Sequence, residues 1–105
     1  MTAARMRLPN RRACETFEVS AGGLKYRVTV GRFADGLVAE IFISNNKTGS
    51  HADAAAKDSA VVCSIALQHG VPLEVIRRAL MRDEQGRPGG PLGVALDLLA
   101  AEEAP

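Results

Sequence analysis

The stretch from Asn45 to Gly70 constrains the fold more than any other part of this chain. Ser50 is a good helix N-cap, and Asp53, three residues on, is placed to reach back to it, a capping box with Asp in place of Glu. Gly70 supplies the left-handed residue that ends a helix. Between these two signals apolar residues recur at Ala55, Ala56, Val62, Ile65 and Ala66, with Ala60, Cys63 and Leu67 on a neighbouring face. From Ser59 to Leu67 only Ser59 and Ser64 are polar, which predicts a central helix touched on several sides.

The chain before this helix reads as strands. Thr16 to Val19 alternates, with Phe17 and Val19 on one face, and Gly22-Gly23 makes a tight hairpin turn. Leu24, Tyr26, Val28 and Val30 then share one face while Lys25, Arg27 and Thr29 share the other. After a turn at Ala34-Asp35-Gly36, a third strand from Leu37 to Ile43 puts Leu37, Ala39, Ile41 and Ile43 together. Val38 and Phe42 fall on its opposite face beside Glu40. A three-stranded meander leaves that second face wet, so two large apolar residues there call for a cover. A second copy of the chain or another protein is one cover; the N-terminal arm or a terminal helix is the other.

The chain after the central helix reads as two more helices. Pro72 occupies a first helical position, and Leu73, Ile76, Ala79 and Leu80 form a stripe with Glu74, Arg77, Arg78 and Arg82 outside it. Gln85 to Gly90 is a loop. Pro91 opens the last helix, with Leu92, Ala95, Leu96 and Leu99 at helical spacing and a fraying acidic end from Ala100. The order β-β-β-α-α-α predicts an α+β fold, a small antiparallel three-stranded sheet followed by three helices packed on one face. With 105 residues, the division expected is a flexible basic arm over 1–13, one domain over 14–100 and a tail over 101–105.

Composition narrows the function. Hydrophobic residues make up 47% and the formal net charge is +1, which argues against disorder and against a strongly basic nucleic-acid binder. Cys14 and Cys63 lie far apart and no CxxC or Cys/His cluster exists, so no metal site is expected. No apolar run reaches membrane-spanning length and no signal-peptide core is present, so no membrane partner is expected and cytoplasm is the default. No nucleophile and base stand paired, so no catalytic residue is nominated. The turn Asn46-Lys47-Thr48-Gly49-Ser50 with His51 offers backbone N–H groups, a helix N-terminus and a lysine, features that suit a phosphate, although the P-loop spacing is missing. Arg5, Arg7, Arg11 and Arg12 give the arm a basic character suited to phosphate or nucleic acid.

Three segments together resemble the TSCPD domain, a module at the C-terminal side of adenosylcobalamin-dependent ribonucleoside-diphosphate reductases. They are Ile41-Phe42-Ile43 through Lys47-Thr48-Gly49-Ser50, the link Ile65 to Glu74 with its Leu67-to-Pro72 match, and Gly90 to Ala95. The chain departs from the family pattern at Asn46, where a glycine is usual, at Gly90, where the family can carry cysteine, and at Leu92, where it can carry aspartate. The resemblance implies a setting in deoxyribonucleotide synthesis. It places the radical chemistry, its cysteines and the cobalamin pocket in a catalytic portion several times longer than this domain, so adenosylcobalamin enters only through a related full-length reductase.

Three roles are therefore expected. The first is a non-catalytic module that forms a homodimer or docks on a ribonucleotide reductase through Val38, Glu40 and Phe42. The second is a regulator that binds a nucleotide at the turn from Asn46 to His51. The third, ranked last on the near-neutral charge and scarce aromatics, is nucleic-acid binding through the arginine arm.

Overall fold

The computed structural model describes residues 4–103. The first three residues of the expected arm and the last two of the expected tail lie outside them. Among the described residues, three strands precede three helices: β1 (Cys14–Ala21), β2 (Leu24–Arg32), β3 (Val38–Asn45), α1 (His51–Gln68), α2 (Leu73–Ala79) and α3 (Pro91–Glu103). The strands form one antiparallel sheet in the order β1-β2-β3. The α+β arrangement read from the sequence is the one found.

Strand alternation sets the core. Val19, Tyr26 and Asn45 form one cross-strand row on the inner face, and Phe17, Val28 and Ile43 form the next. Their apolar members meet Ala56, Ala60, Cys63 and Leu67 of α1 and the stripe Leu92, Ala95, Leu96 and Leu99 of α3. Ile41, Leu96 and Leu99 have no exposed surface at all. Leu73 and Ile76 of α2 and the following Leu80 are only half-buried against this core, whereas Ala79, expected in the same stripe, is exposed.

The parity of β3 breaks once. Gly31 pairs with Glu40 and Arg32 with Val38, so Ala39 is an extra residue on β3, a bulge. An extra residue switches every side chain beyond it to the other face. Val38 therefore turns into the core, where it is buried, and Leu37, expected inside, lies before the strand and is exposed. This corrects the expectation that Val38 and Phe42 share an outer face. Glu40 does occupy the outer face, where it lies flat over Gly31, and a Cβ at position 31 would stand 2.2 Å from its carboxylate oxygen.

Other boundaries shift modestly. Pro72 is the N-cap of α2 in an extended conformation, and the helix begins at Leu73. Helix α3 runs on to Glu103, past the predicted fraying point. The described part of the arm, residues 4–13, is not helical and is tied down. Arg12 clasps the Glu40 carboxylate with both Nε and Nη2 and also donates to the Pro9 carbonyl (2.7 Å). Arg5 Nε donates to Gln68 Oε1 (2.6 Å) and the Met6 N–H to the Gln68 carbonyl (2.7 Å). The arm thus covers the Glu40 end of the outer face and leaves Phe42 half-exposed.

Candidate functional site

Helix α1 is joined to β3 by polar side chains as much as by apolar ones. Asp53, Ala56, Ala60, Ser64 and Gln68 recur at helical spacing on one line, and all five are buried. That line faces the edge of β3 that β2 does not pair. Gln68 Nε2 donates to the Ala39 carbonyl (3.1 Å). Ser64 Oγ accepts from the Ile41 N–H (2.8 Å) and donates to the Ile41 carbonyl (2.9 Å). Asp53 Oδ1 accepts from the Asn45 N–H (2.9 Å). The alanines let the helix come close, and the polar residues answer backbone groups that an open edge would leave unpaired. A polar residue every three to four positions among alanines is the signal in the sequence that reveals this seal.

The same logic rebuilds the turn. Ser50 is the N-cap as expected: its Oγ accepts from the Asp53 N–H (3.2 Å) and donates to the Lys47 carbonyl (2.7 Å). The reciprocal half of the capping box is absent, because the Asp53 carboxylate is spent on Asn45 and Gly49, whose N–H it accepts at 3.1 Å. Lys57 adds a 2.8 Å ion pair. Lys57 foremost, then the Gly49 and Asn45 N–H groups, hold the Asp53 carboxyl down at about 2. Asn45, also buried, accepts from the Lys47 N–H (2.9 Å) and donates to the Lys25 carbonyl (2.9 Å), tying the turn to β2. At the other end Gly70, with φ 90°, closes α1 through Gly70 N–H to the Leu67 carbonyl (3.0 Å) and Val71 N–H to the Ala66 carbonyl (3.0 Å).

These contacts decide what the nominated turn offers. The N–H groups of Lys47, Gly49 and Ser50 are all taken internally. Asn46 and Thr48 instead line a groove of about 560 Å³ together with Lys25 and Arg27 of β2 and Lys57 of α1. Lys47, Gly49, Ser50 and His51 do not line it. Lys25 and Arg27 were legible as polar-face strand residues; only the tertiary fold brings them to the turn. Of the arm, Arg5 and Arg12 are engaged with Gln68 and Glu40, and Arg7 and Arg11 are exposed.

The nominated docking face changes its membership. Val38 leaves it for the core and Glu40 is covered by Arg12. Phe42 remains half-exposed and shares a groove of about 320 Å³ with Val61 of α1. Val61, Val62 and Ile65 are 50%, 67% and 37% exposed, so the second half of α1 is not enclosed as its sequence suggested. Of these, Val61 lies in the groove with Phe42, and Val62 and Ile65 are exposed further along the helix.

Among the described residues no three His, Cys, Asp or Glu side chains come together as a metal site. Burial pushes the Cys63 thiol up to about 11, which keeps it protonated and inert, and Cys14 is exposed. A Cβ at Gly90 would meet nothing within 4 Å, so the position has room for the cysteine that the family can carry. No described helix is long and apolar enough to cross a membrane.

The TSCPD domain family matches residues 2–100. The chain is similar to the vitamin B12-dependent ribonucleotide reductases of Agrobacterium fabrum (43% identity over 70 residues), Bradyrhizobium diazoefficiens (36% over 70) and Rhodopirellula baltica (40% over 72). These alignments cover 67–69% of this chain but 6–7% of each relative, so the chain spans a small fraction of their length. No solved structure matches it. The surface grooves of this chain measure about 560, 490 and 410 Å³ for the larger three described, the size of small-molecule sites. With the match running over nearly the whole of its length and the sequence signatures retained on an intact sheet-and-helix body, this chain belongs to the TSCPD domain family.

Proposed function

We propose that this chain is a non-catalytic module of ribonucleotide reduction that docks on the catalytic chain of a ribonucleotide reductase. The observation that carries the reading is the apolar surface of Phe42, Val61, Val62 and Ile65, joined to a fold whose relatives hold the same module within a far longer reductase. Isolated exposed apolar residues are ordinary, but Phe42 and Val61 meet in one groove and two more apolar residues are exposed on the same half of the helix, which suits an interaction site. The partner supplies the radical chemistry and the cofactor; this chain supplies a rigid surface, since its polar atoms along β3 are already satisfied. In this role the chain contributes to deoxyribonucleotide supply, and thereby to DNA replication, without turning over substrate.

Sedimentation velocity tests this directly. The wild-type chain, mixed with a vitamin B12-dependent ribonucleotide reductase catalytic chain, is expected to co-sediment with it, and Phe42→Asp and Val62→Asp are expected to sediment alone as folded monomers. A wild-type chain that sediments separately from the reductase, or that forms only homodimers, overturns the reading.

A further inference from the structure

We propose that the groove between the β1–β2 hairpin and the β3–α1 turn binds the phosphate group of a small phosphorylated molecule. It measures about 560 Å³, within the range of small-molecule sites. Three cations reach it from two elements, Lys25 and Arg27 on β2 and Lys57 on α1. Lys57 answers Asp53, but the side chains of Lys25 and Arg27 make no ion pair or hydrogen bond with a described residue. The side chains of Asn46 and Thr48 on the rim are equally unengaged among the described residues. Tyr26, only 6% exposed, forms a wall shared with a neighbouring apolar groove, and its hydroxyl bonds no described residue.

The site rests on side chains and not on the start of α1. The Lys47, Gly49 and Ser50 N–H groups are occupied, as described above. Two acids border the groove. Asp53 is buried and matched by Lys57 and two backbone N–H groups, so it presents little charge to a ligand. Glu18 is exposed, stands opposite Arg27 in the strand register and forms no ion pair with it. What remains is a guanidinium and an ammonium two residues apart on one strand face, with hydroxyl and amide donors beside them. That set suits a phosphate, because guanidinium binds two of its oxygens at once and charge-assisted bonds are the strong ones.

None of Phe42, Val61, Val62 or Ile65 lines the groove, although Arg27, Ser44 and Lys57 border both it and the Phe42–Val61 groove, so phosphate binding is tested on the chain by itself, without a reductase. Amide NMR titrations of the full chain at fixed ionic strength, with inorganic phosphate, pyrophosphate, ADP and adenosine, test it. Phosphate, pyrophosphate and ADP are expected to shift the amides of residues 25–27 and 46–48, and adenosine to leave them in place. Arg27→Ala and Lys25→Ala, both at exposed positions, are expected to weaken pyrophosphate binding by about tenfold or more, Glu18→Gln to strengthen it, and Lys47→Ala to leave it unchanged. Absence of shifts with all three phosphates at millimolar concentration, equal shifts with adenosine, or variants at Lys25 and Arg27 that bind like wild type would each overturn it.

Discussion

The two sides of α1 show how one helix is made to do different work. Toward β3 it presents Asp53, Ala56, Ala60, Ser64 and Gln68, all buried, with each polar member bonded to the strand edge. On its exposed side it presents Val61, Val62 and Ile65 to solvent. Polar residues thus share the buried side with Ala56, Ala60, Cys63 and Leu67, while three branched aliphatic residues stand outside, unlike an ordinary amphipathic surface helix. The inner side is explained within the chain, because an unpaired strand edge needs donors and acceptors. The outer side has no such internal explanation, and this contrast is what directs the functional reading to a partner.

Substitutions on the inner side should be the most damaging. Ala60→Leu forces a larger side chain into a place that is 1% exposed, with an expected loss of roughly 1–3 kcal/mol or somewhat more in urea unfolding. Ser64→Ala leaves the Ile41 N–H and carbonyl without their partner inside the protein, and the same experiment should register about 1–3 kcal/mol. If both changes proved neutral, the edge seal would be a coincidence of geometry.

Acid sharpens the contrast more gently. The folded Asp53 carboxyl sits at about 2 against an ordinary 3.8, so its contribution is full above the ordinary value and is lost as the pH falls through about 2. Glu74, held at about 2 by Arg77 and then Arg78, behaves alike on α2, and Asp97 is lowered chiefly by Arg82. Thermal melts between pH 5 and 2 should therefore show wild type losing stability, and Asp53→Asn should lose less over that interval because one of these carboxylates is gone. An identical slope in the variant would remove Asp53 from the account.

The smallest effect belongs to the outer side. Val62→Ser should change unfolding stability by no more than about 0.5 kcal/mol, as exposed substitutions do. A loss comparable to that of Ser64→Ala would mean that Val62 is held by contacts within the chain and is not free for a partner.

Much of this was legible in advance, for identifiable reasons. Ser50 and Gly70 fixed the ends of α1 because caps are local chemistry, and the alternation of β2 survived because β2 is the middle strand. The place of Val38 was hidden because a single extra residue, Ala39, reverses parity and leaves no mark in composition. The enclosure of α1 was misjudged because valine and isoleucine read alike whether they face a core or a partner. The groove went unseen because Lys25, Arg27, Asn46 and Lys57 are distant in sequence and meet only through the hairpin and the turn. The second role of Asp53 was hidden for a related reason: the cap position was visible, but the strand edge that claims its carboxylate was not.

Hydrogen–deuterium exchange of the full chain, with and without a vitamin B12-dependent ribonucleotide reductase catalytic chain, tests the docking claim most directly. The account predicts slowed exchange confined to β3 around Phe42 and to α1 from Val61 to Ile65, and its disappearance in Val62→Asp. Unchanged exchange, or protection that falls on α2 and α3 instead, would contradict it.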